Sequence, residues 1–214
     1  MNKKKVYIID YKCGNLKSVI NAFKKINCEV LCTNDISILN KADALVLPGV
    51  GAFPNCMNNF LNLKLDTFLK KYLKEQRKCL GICVGMQMLN SFSTEFKMTN
   101  GLSIIPGKIL NFNDISFSNS DSPLPNVGWY SLNIKKDISN FAKSFLDGLN
   151  NKDLFYFIHS YARLPSQKYE VATSKYNDKI FSSIISKDQL IGVQFHPEKS
   201  GEIGLELLKN FVKI

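Results

Sequence analysis

The first half of the chain alternates short apolar runs with segments whose apolar residues recur every three or four positions. Residues 5–10, Lys-Val-Tyr-Ile-Ile-Asp, read as a buried strand, and Leu16, Val19, Ile20, Phe23 and Ile26 then fall at helical spacing. Residues 28–32 are strand-like, and the Ala-Leu-Val-Leu run at 44–47 is a strand that stops at Pro48. A helix over 54–75 leads into a strand over 78–82, a sharp turn, and a further helix through Met86 and Leu89 to about residue 91. Strands that alternate with helices in this way predict a largely parallel open sheet with helices on both faces.

Beyond Gly101 the texture changes. Strands are predicted over 104–112 and 127–134, separated by a Ser-, Asn-, Asp- and Pro-rich stretch at 113–126 that reads as a surface loop. After a helix near 138–149 comes a β-rich tail, with strands at 154–159, 169–174, 180–186 and 190–195, closed by a helix over 201–212. Antiparallel hairpins added to the parallel sheet are the economical arrangement, giving an α/β fold of the flavodoxin-like kind in one domain over 1–214.

Composition narrows the function. The 214 residues, 45% of them hydrophobic, suffice for a full core. No apolar run approaches a membrane span, and the apolar stretch after Lys3-Lys4-Lys5 breaks too soon, at Asp10, to be a signal peptide, so a cytoplasmic protein is expected. The net charge of +10 is mostly lysine spread along the chain, which suits solvated faces or an acidic protein partner better than nucleic acid, since the aromatics sit at core-like positions. The six cysteines, 13, 28, 32, 56, 79 and 83, lie mostly in apolar strand-like runs. They read as reduced thiols, buried except for Cys83, and no histidine cluster completes a metal site. Neither metal nor cofactor is expected.

The chemistry is carried by Gly81-Ile82-Cys83-Val84-Gly85. Glycines two places either side of a nucleophile let a strand turn sharply into a helix, presenting the side chain with the helix N-terminus behind it. A free thiol needs a positive neighbour to become a thiolate at neutral pH. The base is found in Val193-Gln194-Phe195-His196-Pro197-Glu198, where a carboxylate two residues on can hold one ring nitrogen of His196 and leave the other to the sulfur. His159 has no such companion and reads as packing or substrate shaping. Acyl chemistry also needs an oxyanion site, which the N–H of Val84 and the glycine loop Pro48-Gly49-Val50-Gly51 can supply.

Together, 47–51 (Leu-Pro-Gly-Val-Gly), 81–87 (Gly-Ile-Cys-Val-Gly-Met-Gln) and 192–200 (Gly-Val-Gln-Phe-His-Pro-Glu-Lys-Ser) resemble the class I, triad-type glutamine amidotransferases. Segments 9–15, 127–129 and 157–161 narrow the resemblance to the glutaminase subunits of imidazole glycerol phosphate synthases. The resemblance implies that Cys83 attacks the side-chain amide of glutamine, ammonia leaves, and water hydrolyses the glutamyl thioester, with His196 moving protons and Glu198 orienting it. It also implies an oxyanion region at Val50, Gly51 and Val84, glutamine held by Gln87, Glu95, Ser160 and Tyr161, and a backbone rearrangement at Val50 before full activity. The implied partner is a (β/α)₈-barrel cyclase in a heterodimer, receiving ammonia through a tunnel to make imidazole glycerol phosphate and a carboxamide nucleotide in histidine biosynthesis. Asn15, Trp129 and Lys199 match positions near that junction.

Two residues depart from the family pattern in segments read as interface motifs: Lys12 stands where Gly is usual, and Asn126 where His is expected. They keep open a paralogue that feeds ammonia to a sugar amidotransferase of surface-glycan assembly. A silent scaffolding subunit is opposed by the intact Cys83, His196 and Glu198. A peptidase-type Cys hydrolase is opposed by Gln87, Ser160 and Tyr161.

Overall fold

The computed structural model describes residues 3–14, 16–114, 123–166 and 168–214. In chain order the elements are β1 (Lys5–Ile9), α1 (Leu16–Lys25), β2 (Glu29–Thr33), α2 (Ile36–Leu39), β3 (Ala44–Leu47), α3 (Phe53–Asn62), α4 (Leu65–Lys74), β4 (Lys78–Ile82) and α5 (Val84–Met88). Then follow β5 (Phe92–Ser93), β6 (Thr99–Asn100), β7 (Lys108–Asn111), β8 (Asn126–Ser131), β9 (Asn133–Ile134), α6 (Asn140–Phe145), β10 (Leu154–His159), β11 (Tyr161–Arg163), β12 (Glu170–Tyr176), β13 (Lys179–Lys187), β14 (Leu190–Val193) and α7 (Gly201–Lys213).

The central sheet has the order β2-β1-β3-β4-β14-β13-β12-β9. Its first five strands are parallel and the remaining pairings antiparallel, as the alternating first half and β-rich tail predict. The strand order reverses at β1. Right-handed crossovers therefore put α1 on one face and α3 with α4 on the other, and α7 packs beside α1. The middle strands bury nearly every side chain, Ala44 to Leu47 without exception, because helices cover both faces.

Several boundaries differ from expectation. The helix predicted over 54–75 is two helices, broken where Lys64 adopts φ 55° before α4. The strand predicted over 104–112 shrinks to β7, since Pro106 has no N–H to donate to a ladder. Strand β10 leaves the central sheet and pairs with β8, while β11, β7, β5 and β6 make a third small sheet. Most of the loop expected over 113–126 lies outside the described residues, and Asn126 itself is the first residue of β8.

The turn after β4 is held by two glycines that admit no side chain. A Cβ on Gly85 would stand 2.0 Å from the Leu47 carbonyl oxygen, and one on Gly49 would stand 2.3 Å from the Gly85 nitrogen. The loop after β3 and the start of α5 are thus in backbone contact. That contact sets the glycine loop beside Cys83.

Candidate active site

Cys83 occupies the single residue between β4 and α5, at φ 52° and ψ −112°, a conformation that side chains rarely adopt and that persists where the surroundings over-determine it. Its backbone N–H donates to the Val193 carbonyl at 2.8 Å, tying the turn to the end of β14. Contrary to the expectation of an exposed nucleophile, Cys83 is only 4% exposed; the partly exposed thiols are Cys13 and Cys32. Its access is a cavity of about 200 Å³ lined by Val50, Gly51, Val84 and Gln87 on one side and by Ser160, Tyr161 and His196 on the other.

His196 follows β14 and is equally buried. Its backbone N–H donates to the Tyr156 carbonyl at 2.9 Å, and its carbonyl accepts from Ser200 Oγ at 2.7 Å, so the imidazole enters from a fixed stem. Nδ1 and Glu198 Oε1 lie 2.7 Å apart. With Nδ1–H donating to the carboxylate, Nε2 is the atom left to bond the Cys83 sulfur. Burial lowers the imidazole pKa, but the Cys83 charge and hydrogen bond, followed by Glu198, outweigh it and raise the value to about 10. The arrangement sets a thiol and an imidazole in one cavity, with the imidazole held by a carboxylate, a grouping suited to nucleophilic attack on an acyl carbon.

The other predicted residues gather around this pair. Val84 opens α5, so its N–H has no intrahelical acceptor, and the residue lines the cavity next to Cys83. Gln87 Nε2 donates to the Tyr161 carbonyl at 2.9 Å and to Gln194 Oε1 at 3.1 Å, so the group it offers the cavity is its carbonyl oxygen. Glu95 lines the cavity, yet its Oε2 accepts from the Phe53 N–H at 2.7 Å. It caps α3, whose own cap Ala52 has no side-chain acceptor. Burial raises the Glu95 pKa, against the lowering effect of that bond.

Trp129 and Lys199 come together on Tyr156: Trp129 is half-exposed and meets that ring edge to face, while Lys199, which lines the cavity, has its Nζ 5.8 Å from it. Asn15 lies outside the described residues. Lys12 has φ 61°, which explains why glycine suits that position, and Asp10 Oδ1 accepts from its backbone N–H at 3.0 Å. Asn126 is fully buried in this chain rather than part of an exposed interface motif. Its Nδ2 lies 3.5 Å from His159 Nε2.

His159 is packed against the rings of Phe112, Phe157 and Phe181, and its Nδ1–H donates to the Tyr161 carbonyl at 3.0 Å. Burial, assisted by the nearby His196 charge and opposed by the Tyr161 bond, lowers its pKa from 6.5 to about 3. It shapes the site as a neutral imidazole. A histidine held neutral in the fold contributes stability that is complete above its unfolded value and lost as pH falls through the folded one. Urea denaturation at about pH 7 and about pH 5 is expected to show His159→Gln losing less stability on acidification than the parent.

Sequence reasoning missed Gln194, whose Nε2 lies 3.7 Å from Cys83 Sγ, and Tyr11, whose hydroxyl donates to the Pro48 carbonyl and pins the glycine loop. The signal for Gln194 was available, since residues two apart on an extended chain share a face and His196 was already assigned. Tyr11 had none.

Residues 7–214 match the family described as "Glutamine amidotransferase class-I". The chain is 40% identical to "Imidazole glycerol phosphate synthase subunit HisH" of Geobacter sulfurreducens, covering 97% of each chain. It is 42% identical to the protein of that name from Methanothermobacter thermautotrophicus, covering 98% of each, and 37% identical to that of Lactococcus lactis, again covering 98% of each. Among solved structures, a putative GMP synthase protein from Thermoplasma acidophilum shares the fold with a TM-score of 0.69 at 19% identity, covering 100% of this chain and 94% of that one. A glutamine amidotransferase from Thermotoga maritima does so at 0.62 and 18%, covering 100% of this chain and 85% of that one.

Proposed function

The chain belongs to the class-I glutamine amidotransferase family, and on that premise we propose that Cys83, His196 and Glu198 form its catalytic triad. The protein is the glutaminase subunit of an imidazole glycerol phosphate synthase in histidine biosynthesis, working in a complex with a cyclase and taking glutamine as substrate. Full-length relatives of that name disfavour the sugar-amidotransferase alternative.

The observation that carries the triad is that Glu198 holds His196 Nδ1 at 2.7 Å while His196 shares one cavity with Cys83, itself held on a strained turn. The Cys83 thiolate attacks the side-chain amide carbon of glutamine, and the carbonyl oxygen takes the charge beside the Val84 N–H, with Val50 and Gly51 completing the oxyanion region. His196 gives its proton to the departing nitrogen, which leaves as ammonia. The imidazole then takes a proton from water, hydroxide attacks the thioester, and glutamate departs as the thiolate and imidazolium are restored. The Gln87 carbonyl oxygen, Glu95, Ser160 and Tyr161 hold the amino acid. Glu95 does so with the oxygen that is not capping α3.

The partner is a (β/α)₈-barrel cyclase in a heterodimer, both cytoplasmic, and this chain is one amidotransferase domain. The surface around the cavity supports this: Val50 and Ile158 leave apolar surface exposed there beside Lys199, and exposed Val127 and Trp129 lie on β8, opposite Ile158 and Tyr156 of β10. Asn15 and the exposed faces of Trp129 and Lys199 meet the partner. A Cβ on Gly14 would stand 3.2 Å from the Val50 nitrogen, so a partner pressing on the segment before α1 acts directly on the oxyanion loop. The isolated chain is therefore expected to be a weak glutaminase. Glutamate release measured alone, then with the cyclase and its nucleotide ligand, is expected to rise on the order of 10²-fold or more, the range of a completed oxyanion site. No rise with a cyclase that is competent on ammonia would overturn the assignment of partner.

A further inference from the structure

Gln194 leaves β14 two residues before His196 and is completely buried, its backbone N–H donating to the Ser183 carbonyl at 2.9 Å. Its side chain ends a line of three hydrogen bonds. Gln87 Nε2 donates to the Tyr161 carbonyl at 2.9 Å and to Gln194 Oε1 at 3.1 Å, and Gln194 Nε2 lies 3.7 Å from Cys83 Sγ.

The polarity of that line is set from its far end. A backbone carbonyl only accepts, so Gln87 must turn its NH₂ to Tyr161. Having done so, it presents N–H to Gln194, which must answer with oxygen and is left with its own NH₂ toward the sulfur. Neither amide can flip without placing two donors or two acceptors face to face in a buried site. The Tyr161 carbonyl also accepts from His159 Nδ1, which fixes it further.

We propose that Gln194 is a fourth catalytic group, a permanently neutral N–H donor that holds the Cys83 sulfur in place and stabilises its thiolate. A hydrogen bond to the charged form of an acid favours that form. His196 is an imidazolium for only part of the cycle, because it surrenders its proton to the leaving ammonia. The Gln194 amide does not titrate and donates throughout. It favours the thiolate before attack and again when the sulfur becomes the leaving group in thioester hydrolysis, weakening its hold while the sulfur is acylated and uncharged. This role rests on Cys83 being the nucleophile.

The test is the rate of Cys83 alkylation by iodoacetamide against pH, with kcat and KM for glutamine hydrolysis in the complex with the cyclase. The variants are Gln194→Met, which keeps the volume but loses the donor, and Gln194→Glu, which keeps the bond from Gln87 but turns an oxygen to the sulfur. Titratable groups around the sulfur are His196, backed by Glu198, Tyr11 after β1, Cys56 on α3, and Glu95, His159, Tyr161 and Lys199 lining the same cavity; neither variant replaces any of them.

The alkylation midpoint is expected to rise by about one pH unit in Gln194→Met and further in Gln194→Glu, because the weight of one hydrogen bond to a charged group is about that size. The kcat falls on the order of 10-fold or more, with KM within about 2-fold of the parent. A merely structural amide would leave the alkylation midpoint of Gln194→Met at the parent's value, or would make Gln194→Glu, which retains the Gln87 bond, the milder variant in kcat. Either result overturns the proposal. Where Gln194→Met does not fold, Gln194→Leu, which also lacks the donor and adds no charge, decides by its own midpoint. Cys83→Ala run in parallel separates the two readings: surviving glutaminase activity there refutes the nucleophile itself, whereas its loss with an unmoved Gln194 profile refutes only the donor.

Discussion

Replacing Cys83 by Ala is expected to lower glutamine hydrolysis by about 10⁴-fold or more while the complex still makes product from added ammonia. The buried thiols of Cys56 and Cys79 do not substitute. Cys56 and Cys79 are fully buried, burial holds the Cys56 thiol well above its ordinary value, and the Cys79 thiol is pushed up to about 12. Removing the nucleophile abolishes the covalent route and leaves only the binding site to accelerate the reaction, so the effect is of the size seen when a triad loses its attacking group. The fold should tolerate the change, because Ala at φ 52° is no more strained than Cys and the turn is held by backbone contacts through Gly49 and Gly85. His196 reports the same substitution. Without the Cys83 charge and hydrogen bond its pKa falls from about 10, since burial remains and only Glu198 opposes it. An NMR titration of the imidazole measures that fall. Glutamine hydrolysis surviving in this variant would remove Cys83 from the mechanism.

The second large effect lies behind the site. Arg163 is completely buried and pairs with Glu170 at 3.0 Å, both side chains sealed from solvent. Its Nε donates to Asn90 Oδ1 at 2.8 Å, and its other nitrogens reach Ser182 Oγ, Ser166 Oγ and the Pro106 carbonyl at 2.9 to 3.0 Å. Burial presses both partners toward their neutral forms, lowering the Arg163 pKa and raising that of Glu170, and the hydrogen bonds from Ser182 and Ser166 with the Arg163 charge oppose it at Glu170. Asn90 in turn donates to the Met86 carbonyl at 3.0 Å, so the guanidinium clamps the end of α5, the helix that starts at the nucleophile. Arg163→Ala leaves an uncompensated buried carboxylate and a void. Its expected cost is about 3 to 5 kcal/mol in urea denaturation. Arg163→Met combined with Glu170→Gln removes both charges and should cost less than Arg163→Ala alone. A double variant less stable than Arg163→Ala would show that the charges themselves stabilise the core.

The parts of the molecule readable from the chain share one property, locality. Strands β3 and β4 fell at their predicted bounds because parallel strands covered on both faces are unbroken apolar runs, ended here by Pro48 and by the Gly81–Gly85 turn. Cys83, His196 and Glu198 were legible for the same reason. Each sits in a short motif whose spacing already sets the geometry, glycines two away from the sulfur and a carboxylate two away from the imidazole.

What tertiary structure decided is made of contacts between distant residues. The break at Lys64, the pairing of β10 with β8 and the two-residue strands β5, β6 and β9 follow from packing, since so few residues carry no period to detect. Glu95 capping α3 spans 42 positions, Gln87 meeting Tyr161 spans 74, and Gln194 reaching Cys83 spans 111. Asn126 reads by sequence as part of an interface and by structure as a buried partner of His159. Hydrophobic pattern and turn chemistry dictate which elements form and where the nucleophile turns. Which polar groups meet inside is settled only when the layers close, because a buried donor or acceptor must then find whatever partner the packing brings within reach.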